Sequence, residues 1–229
     1  MKTFTKEKCV STLDGSPFFH GLSRELIVEL VDIAEIVTYN QDAVISRMGE
    51  LFKDVLFVIS GLVRVSVCSS TGRRITFLLV KKGETYNIMS PYMKTPRLLE
   101  AQALEKTHCL KVKGDKFIQF VERYPQITTN MIQWIGTAFD SANSRILDLM
   151  EKNVDSRIMR VLATLHGKFS SPLRFTSVEI SEIAGTTPES TLRTMGRLRD
   201  KGIIETRRGK IWIKDPDALN DVEFGDMIL

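Results

Sequence analysis

The chain has 229 residues, 43% of them hydrophobic and 26% charged, with a formal net charge of +4, which is enough for two ordinary domains with a core each. So small a charge marks no polyelectrolyte binder by itself, and any nucleic-acid role depends on where the arginines cluster. Three scattered cysteines, Cys9, Cys68 and Cys109, with no C-x-x-C pair, exclude a disulfide framework and a cysteine zinc site.

The opening segment "MKTFTKEKCVSTLDGS" is polar throughout, with no apolar run for a signal peptide or a spanning helix, so a reducing, cytoplasmic setting is expected. "LSRELIVELVDIAEI", Leu22 to Ile36, places Ser23 as an N-cap before apolar residues at helical spacing. From Val37 to Val112 the texture changes to short β-branched runs, "VLFVISGLVRVSV", "RRITFLLV" and "AQALEKTHCLKV", separated by "MGE", "SGL", "STGRR" and "KKGE". Short strands at this spacing predict an antiparallel barrel or roll.

Helical periodicity returns from Pro125 to Met150. Ile132, Ile135, Phe139, Ala142, Ile146 and Leu149 alternate spacings of three and four, the seam of a two-helix coiled coil. A helix packed on its own domain shares that spacing, but about seven turns exceed what one small roll covers, which favours a dimer interface. "NVDS", Asn153 to Ser156, reads as a hinge with Asp155 as the cap of "SRIMRVLATLHGKF", and "SSPLRF" breaks the chain before the next helix, which starts near Thr176 or Ser177.

In "FTSVEISEIAGTTPESTLRTMGRLRDKGIIETRRGKIWI", Ser177 is expected to cap a short helix carrying Ile180, Ile183 and Ala184, and Gly185 to supply a left-handed turn. Thr187 caps the following helix, with Pro188 at its first position, where a missing N–H is harmless. Thr191, Met195 and Leu198 form its packing stripe, while Glu189 and Arg193 fall together on another face. Arginine can fork onto guanine and glutamate can accept from cytosine; an ordinary surface ion pair is the competing explanation. Thr187 to Lys214 holds eight basic residues, Arg193, Arg197, Arg199, Lys201, Arg207, Arg208, Lys210 and Lys214, against Glu189, Asp200 and Glu205. That stripe suits phosphate neutralisation, and "GIIETRRGKIWIKD" predicts a basic wing hairpin. Leu192 stands off the packing stripe, and contact with a thymine methyl and an edge-of-core position are both open.

A roll, a long helix and a C-terminal winged helix-turn-helix resemble the Crp/Fnr family of bacterial transcription regulators over nearly the whole chain. The most specific stretch is "ISEIAGTTPESTLRTMGRLRDKGII", which is similar to the family's recognition motif. The resemblance implies an α+β fold: an N-terminal double-stranded β-helix (jelly-roll) effector domain over 1–124, a dimerisation helix over 125–152 and a winged helix-turn-helix over 153–229. It implies base reading by Glu189 and Arg193, with Ser190 in place of the usual Thr. Thr187, Leu192, Arg197, Arg208 and Lys210 complete the expected DNA contacts. It also implies a homodimer on a palindromic duplex, RNA polymerase as a partner and a small-molecule or gas effector, with no membrane partner.

The glycines Gly49, Gly61, Gly72 and Gly83 fall where the family's roll turns its strands. The cyclic-nucleotide signature does not follow, because Asn87-Ile88 stands for Gly-Glu and Leu99-Glu100-Ala101 for Arg-Ser/Thr-Ala. A carboxylate facing a cyclic phosphate repels it, so cAMP and cGMP are not expected. The expected effector pocket is Asn87, Met89, Arg97, Glu100 and Trp134. Scattered cysteines argue against an iron–sulfur cluster, whereas haem held by Met89, with His108, Cys109 or His20 opposite, stays open from the family's gas-sensing members. The three histidines, His20, His108 and His166, sit in no catalytic motif and no Walker or Rossmann loop is present, so an enzyme is not expected. The alternative from another class is a non-DNA-binding regulatory subunit of nucleotide-binding type, which needs no basic recognition helix.

Overall fold

A computed structural model describes residues 5–151 and 153–219. They form two compact units: one comprises residues 5–71 with 78–136, the other 72–77 with 137–219. In chain order the elements are α1 (Lys6–Asp14), α2 (Arg24–Asp32), β1 (Glu35–Tyr39), β2 (Val44–Ser46), β3 (Val55–Ser60), β4 (Leu62–Cys68), β5 (Arg74–Lys81), β6 (Thr85–Tyr86), β7 (Glu100–Ala103) and β8 (Thr107–Val112). They continue with α3 (Gly114–Arg123), α4 (Pro125–Glu151), α5 (Val154–Phe169), α6 (Ser177–Ala184), α7 (Pro188–Asp200), β9 (Ile204–Arg207) and β10 (Lys210–Ile213). The α+β fold expected from the sequence is present, with a roll, a long helix and a helix-turn-helix in that order.

The strands of the roll form two four-stranded sheets, ordered β1-β8-β3-β6 and β2-β7-β4-β5. Every residue of β3 from Val55 to Ile59 is buried, because this strand is covered on both faces. Leu56 and Val58 point into the roll with Val63, Val65, Tyr86, Ala101 and Cys109. Val55, Phe57 and Ile59 point the other way, into a helical core with Leu13, Phe18, Phe19, Leu30, Phe117, Ile127 and Met131. The four turn glycines all adopt positive φ. Gly61 is the most constrained, since a Cβ there would lie 2.4 Å from Thr107 Oγ1.

Two helices escape the sequence pattern. The polar opening segment contains α1, which Thr5 caps through its side chain and which buries only Cys9, Val10 and Leu13. Three apolar residues among charged ones suffice because they meet a prebuilt apolar surface. The stretch Gly114–Arg123 forms α3, burying Phe117, Phe120 and Val121. Two expected caps are also displaced. Asn153, not Asp155, caps α5, its side chain accepting from Ser156 N at 2.9 Å. Thr176, not Ser177, caps α6 in a reciprocal box with Glu179, which adds a second satisfied donor that Ser177 could not provide from inside the helix. Ser23 occupies the N-cap position of α2 without a side-chain cap bond. No helix among the described residues is long and apolar enough to cross a membrane.

Candidate nucleic-acid interface

The second unit buries Ile158, Leu162 and Leu165 of α5 together with Ile180 and Ile183 of α6 and Leu198 of α7. The turn between α6 and α7 depends on Gly185, at φ 62 and ψ 43, a left-handed position that costs glycine nothing. Thr186 N closes the helix end by donating to Ser181 O at 3.0 Å. The carbonyls leaving α6 lack helical acceptors' usual partners, and Arg157 of α5 supplies donors, Nε to Ala184 O at 3.0 Å and Nη2 to Gly185 O at 3.5 Å.

Helix α7 starts as its sequence requires. Thr187 caps it, accepting from Ser190 N at 3.3 Å, and Pro188 occupies the first turn. Its buried side comprises Thr191, Thr194, Met195 and Leu198. Thr194 adds to the expected stripe, and it is polar for a reason: its Oγ1 donates to Asp155 Oδ1 at 2.5 Å. The opposite side holds exposed Glu189, Leu192 and Arg193, with Ser190 half-buried between them.

Glu189 and Arg193 do not neutralise each other. Arg193 Nη2 instead lies 3.4 Å from Ser190 Oγ. The Glu189 carboxyl is held below the usual range, first by its own backbone N–H at the helix start and then by the Thr187 hydroxyl, so it is an anionic acceptor at neutral pH. Leu192 is 59% exposed, which places it off the edge of the core and on the same outward side.

The basic residues divide into two sets. Arg197 meets Asp155, Arg199 meets Asp200, and Arg207 and Lys214 share Glu205. Arg197 therefore also holds α7 to α5, a role its place in the charge stripe does not reveal. Among the described residues, Arg193, Lys201, Arg208 and Lys210 have no carboxylate partner. Arg208 and Lys210 lie in the wing, where β9 and β10 pair antiparallel with Arg207 opposite Lys210. The two-residue loop has φ 45 at Arg208 and φ 73 at Gly209, the signs of a type I′ turn. Leu173 joins the hairpin by bridging to Ile211.

Comparison with known proteins agrees with this geometry. Residues 156–222 match the Crp-like helix-turn-helix domain, and residues 36–124 match the cyclic nucleotide-binding domain. The chain is 25% identical over 214 residues to the Cyclic AMP receptor protein of Thermus thermophilus, covering 93% of this chain and 99% of that protein. It belongs to the Crp/Fnr family of DNA-binding transcription regulators. Among solved structures, the c-di-GMP responsive global regulator CLP of Xanthomonas campestris shares the fold with a TM-score of 0.75 at 16% identity, covering 83% of this chain and 99% of that one. FixK2 of Bradyrhizobium japonicum does so with a TM-score of 0.74 at 21% identity, covering 82% and 96%.

Within this Crp/Fnr regulator each residue expected at the effector pocket has a place and neighbours of its own. Asn87, at φ 73, spends its amide on Phe52 O and Asp54 O, both at 2.9 Å, and its carbonyl oxygen accepts from Ser90. It is a loop staple. Met89 and Trp134 pack against the helical core outside the roll. Glu100 lies half-buried on β7, opposite Ser66. Arg97 is half-buried, with Nη1 3.5 Å from Met93 Sδ, and its charge reaches Tyr86, whose hydroxyl bonds Ser46 Oγ at 2.9 Å inside the roll. His108 Nδ1 pairs with Thr38 Oγ1 at 2.9 Å on β8. A packed thioether and a strand imidazole already bonded to its neighbour do not fit a pair of haem ligands. Among the described residues no group of three or more His, Cys, Asp or Glu could hold a metal ion.

Thr194, Arg157 and Arg145 leave no mark in the sequence, and Asp155, expected there as a cap, serves instead as the partner of Thr194 and Arg197. Their signal is weak in one dimension, because each acts on a partner 27 to 42 positions away or further.

Proposed function

We propose that the protein is an effector-responsive transcription regulator that binds a palindromic duplex as a homodimer. The observation that carries this is the two-sidedness of α7: Thr191, Thr194, Met195 and Leu198 are buried while Glu189, Leu192 and Arg193 are exposed at the helix start. A helix held by one side and offering an arginine fork, a carboxylate and an apolar tip near its N-terminus suits base-edge readout in the major groove. Arg208 and Lys210 in the wing, with Lys201, suit phosphate contacts, which position the domain without reading sequence.

The dimer reading rests on α4. Ile132, Phe139 and Ile146 are 64%, 66% and 55% exposed, whereas Ser141, Ser144 and Asp148 are buried. A helix that buries its serines and exposes its large apolar residues is incomplete as a single chain. Pairing two such helices would set two recognition helices one duplex turn, about 34 Å, apart. A signal in the roll then acts through its differential affinity for two arrangements of the helix pair. RNA polymerase as partner and a cytoplasmic setting belong to the same reading.

The experiment is selection of a binding site from random duplexes by the full chain, followed by affinity measurements over a range of salt. A palindromic consensus with steeply salt-dependent affinity is the expected result. Arg193→Ala or Glu189→Ala should relax preference at one base pair per half-site, at a cost of about 1–3 kcal/mol. Absence of duplex binding even at low salt would leave the regulatory-subunit alternative standing.

A further inference from the structure

Arg145 lies on α4, and three backbone carbonyls share its guanidinium. Nη1 donates to Thr76 O at 2.7 Å and to Phe77 O at 3.3 Å, and Nη2 donates to Ile183 O at 2.7 Å. Thr76 and Phe77 are in β5, within the segment 72–77 that belongs to the second unit, and Ile183 is in the last turn of α6. One side chain therefore ties together the long helix, a strand and the first helix of the helix-turn-helix.

The setting is built for a cation that cannot leave. Burial, offset by Asp148 and reinforced by Arg160, pushes the Arg145 pKa down to about 10, so the group stays charged at neutral pH. One turn further along α4, Asp148 forms a buried ion pair with Arg160 at 2.5 Å, and Arg160 Nη2 also donates to Ser144 Oγ at 2.8 Å. The carbonyl end of α6 is the negative end of a helix dipole, which favours a cation. Three acceptors in different directions call for the planar, five-donor guanidinium and not for an ammonium. A second, independent contact joins the same two elements, Arg74 Nη1 of β5 to Glu182 Oε1 of α6 at 3.9 Å.

Two of the three elements that meet at Arg145, β5 and α4, continue into the other unit through unbroken secondary structure. Residues 74–77 of β5 run on into 78–81, and the second half of α4 begins where 125–136 end. We propose that Arg145 is a positioning residue for DNA recognition: by joining β5 to the Ile183 carbonyl in the last turn of α6, it fixes how the helix-turn-helix leaves α4, and hence the spacing of the two recognition helices. The spacing role rests on the dimeric reading above. Arg157 differs in kind, because it holds the Ala184 and Gly185 carbonyls to α5, within the winged helix-turn-helix domain.

The test uses the full chain with Arg145→Gln, Arg145→Lys and Arg157→Gln, and duplexes carrying two selected half-sites or one. Hydrogen exchange of the segment 74–79 is followed in parallel. Arg145→Gln should bind the two-half-site duplex at least about tenfold more weakly while single-half-site affinity stays within about twofold, since a mispositioned pair loses avidity and not contacts. Exchange at 74–79 should rise. Arg145→Lys should not rescue either readout, because one ammonium cannot span the three carbonyls, whereas Arg157→Gln should weaken both duplexes alike. Equal weakening of both duplexes by Arg145→Gln would make Arg145 a fold residue and overturn the proposal, as would no change in either. A wild type that does not prefer two half-sites would sink the dimer reading instead. The tie itself then stands on exchange at 74–79 alone: a rise in Arg145→Gln sustains it and an unchanged rate removes it.

Discussion

Asp155 Oδ1, in the first turn of α5, accepts a 2.5 Å hydrogen bond from Thr194 Oγ1 on the buried side of α7, and the same oxygen meets the Arg197 guanidinium. This clasp sets the rotation of the recognition helix about its own axis, because Thr194 lies one residue from Arg193 and nearly opposite Glu189's face. The Asp155 and Arg197 side chains are both more than a third exposed, so solvent screens the charge part of the interaction. Asp155→Ala should lower stability by about 1 kcal/mol in urea denaturation, and Thr194→Val by less, because Arg197 still partners the carboxylate. The two changes should couple by roughly 0.5–1 kcal/mol in a double-mutant cycle. Strict additivity would mean the Thr194 hydroxyl contributes nothing to holding α7.

Arg208 occupies the first central position of the wing turn at φ 45, where asparagine or glycine is the comfortable choice. A left-handed arginine costs on the order of 1–2 kcal/mol, and a loop residue kept against its backbone preference points to use of its side chain. Arg208→Asn should leave stability unchanged or raise it by roughly 0.5–1 kcal/mol. The same change should weaken binding to every duplex sequence and reduce the slope of log affinity against log salt by about 1. A variant that loses affinity with an unchanged salt slope would show that Arg208 shapes the wing and touches no phosphate.

The recognition unit was legible in the sequence because its determinants are local: Gly185, Thr187, Pro188 and the Thr191-Met195-Leu198 stripe all act within a few residues of themselves. The roll was legible for the same reason, through turn glycines and strand runs such as Val55–Ser60. Helix α1 was not, since Cys9, Val10 and Leu13 make sense only against a surface assembled from residues far along the chain. Asn87 has a structural role that its place in the chain does not announce: at positive φ, its amide donates to two carbonyls 33 and 35 residues away. Side chains that bond backbone carbonyls, Arg145 and Arg157 among them, leave no periodic trace, because any residue offers the same acceptor.

Cys109 provides a pH test of the roll. It is fully buried on β8, and burial pushes its thiol up to about 12 from 9.0; Tyr39, on the neighbouring strand β1, is likewise raised by burial to about 12 from 10.0. Both groups hold their protons in the folded chain above the pH at which the unfolded chain releases them. Their contribution is complete below about pH 9 and is lost as the pH climbs towards 12. Unfolding monitored between pH 8 and pH 11 should show stability falling from pH 9 upwards, and Cys109→Val should flatten the first part of that fall. Alkylation at pH 8 should reach half-exposed Cys68 while sparing Cys109 and Cys9, both buried. Modification of Cys109 at a rate near that of Cys68 would show that the roll opens readily.

Phe139 decides between a paired and a solitary α4. Its ring is exposed on the single chain while Ser141, Ser144 and Asp148 of the same helix are buried, so the helix has already used its polar side for the fold. Replacing an exposed ring disturbs no packing within the chain, and Phe139→Asp should therefore leave the denaturation midpoint of a dilute sample nearly unchanged. In a dimer the same aspartate would be buried opposite its own copy, two like charges without partners, which a seam of apolar residues does not tolerate. Sedimentation should show the wild type at twice the 26.0 kDa chain mass and Phe139→Asp at the chain mass. The variant should keep single-half-site affinity and lose the gain from a second half-site. A Phe139→Asp protein that still sediments at the wild-type mass would place the pairing surface away from this face of α4.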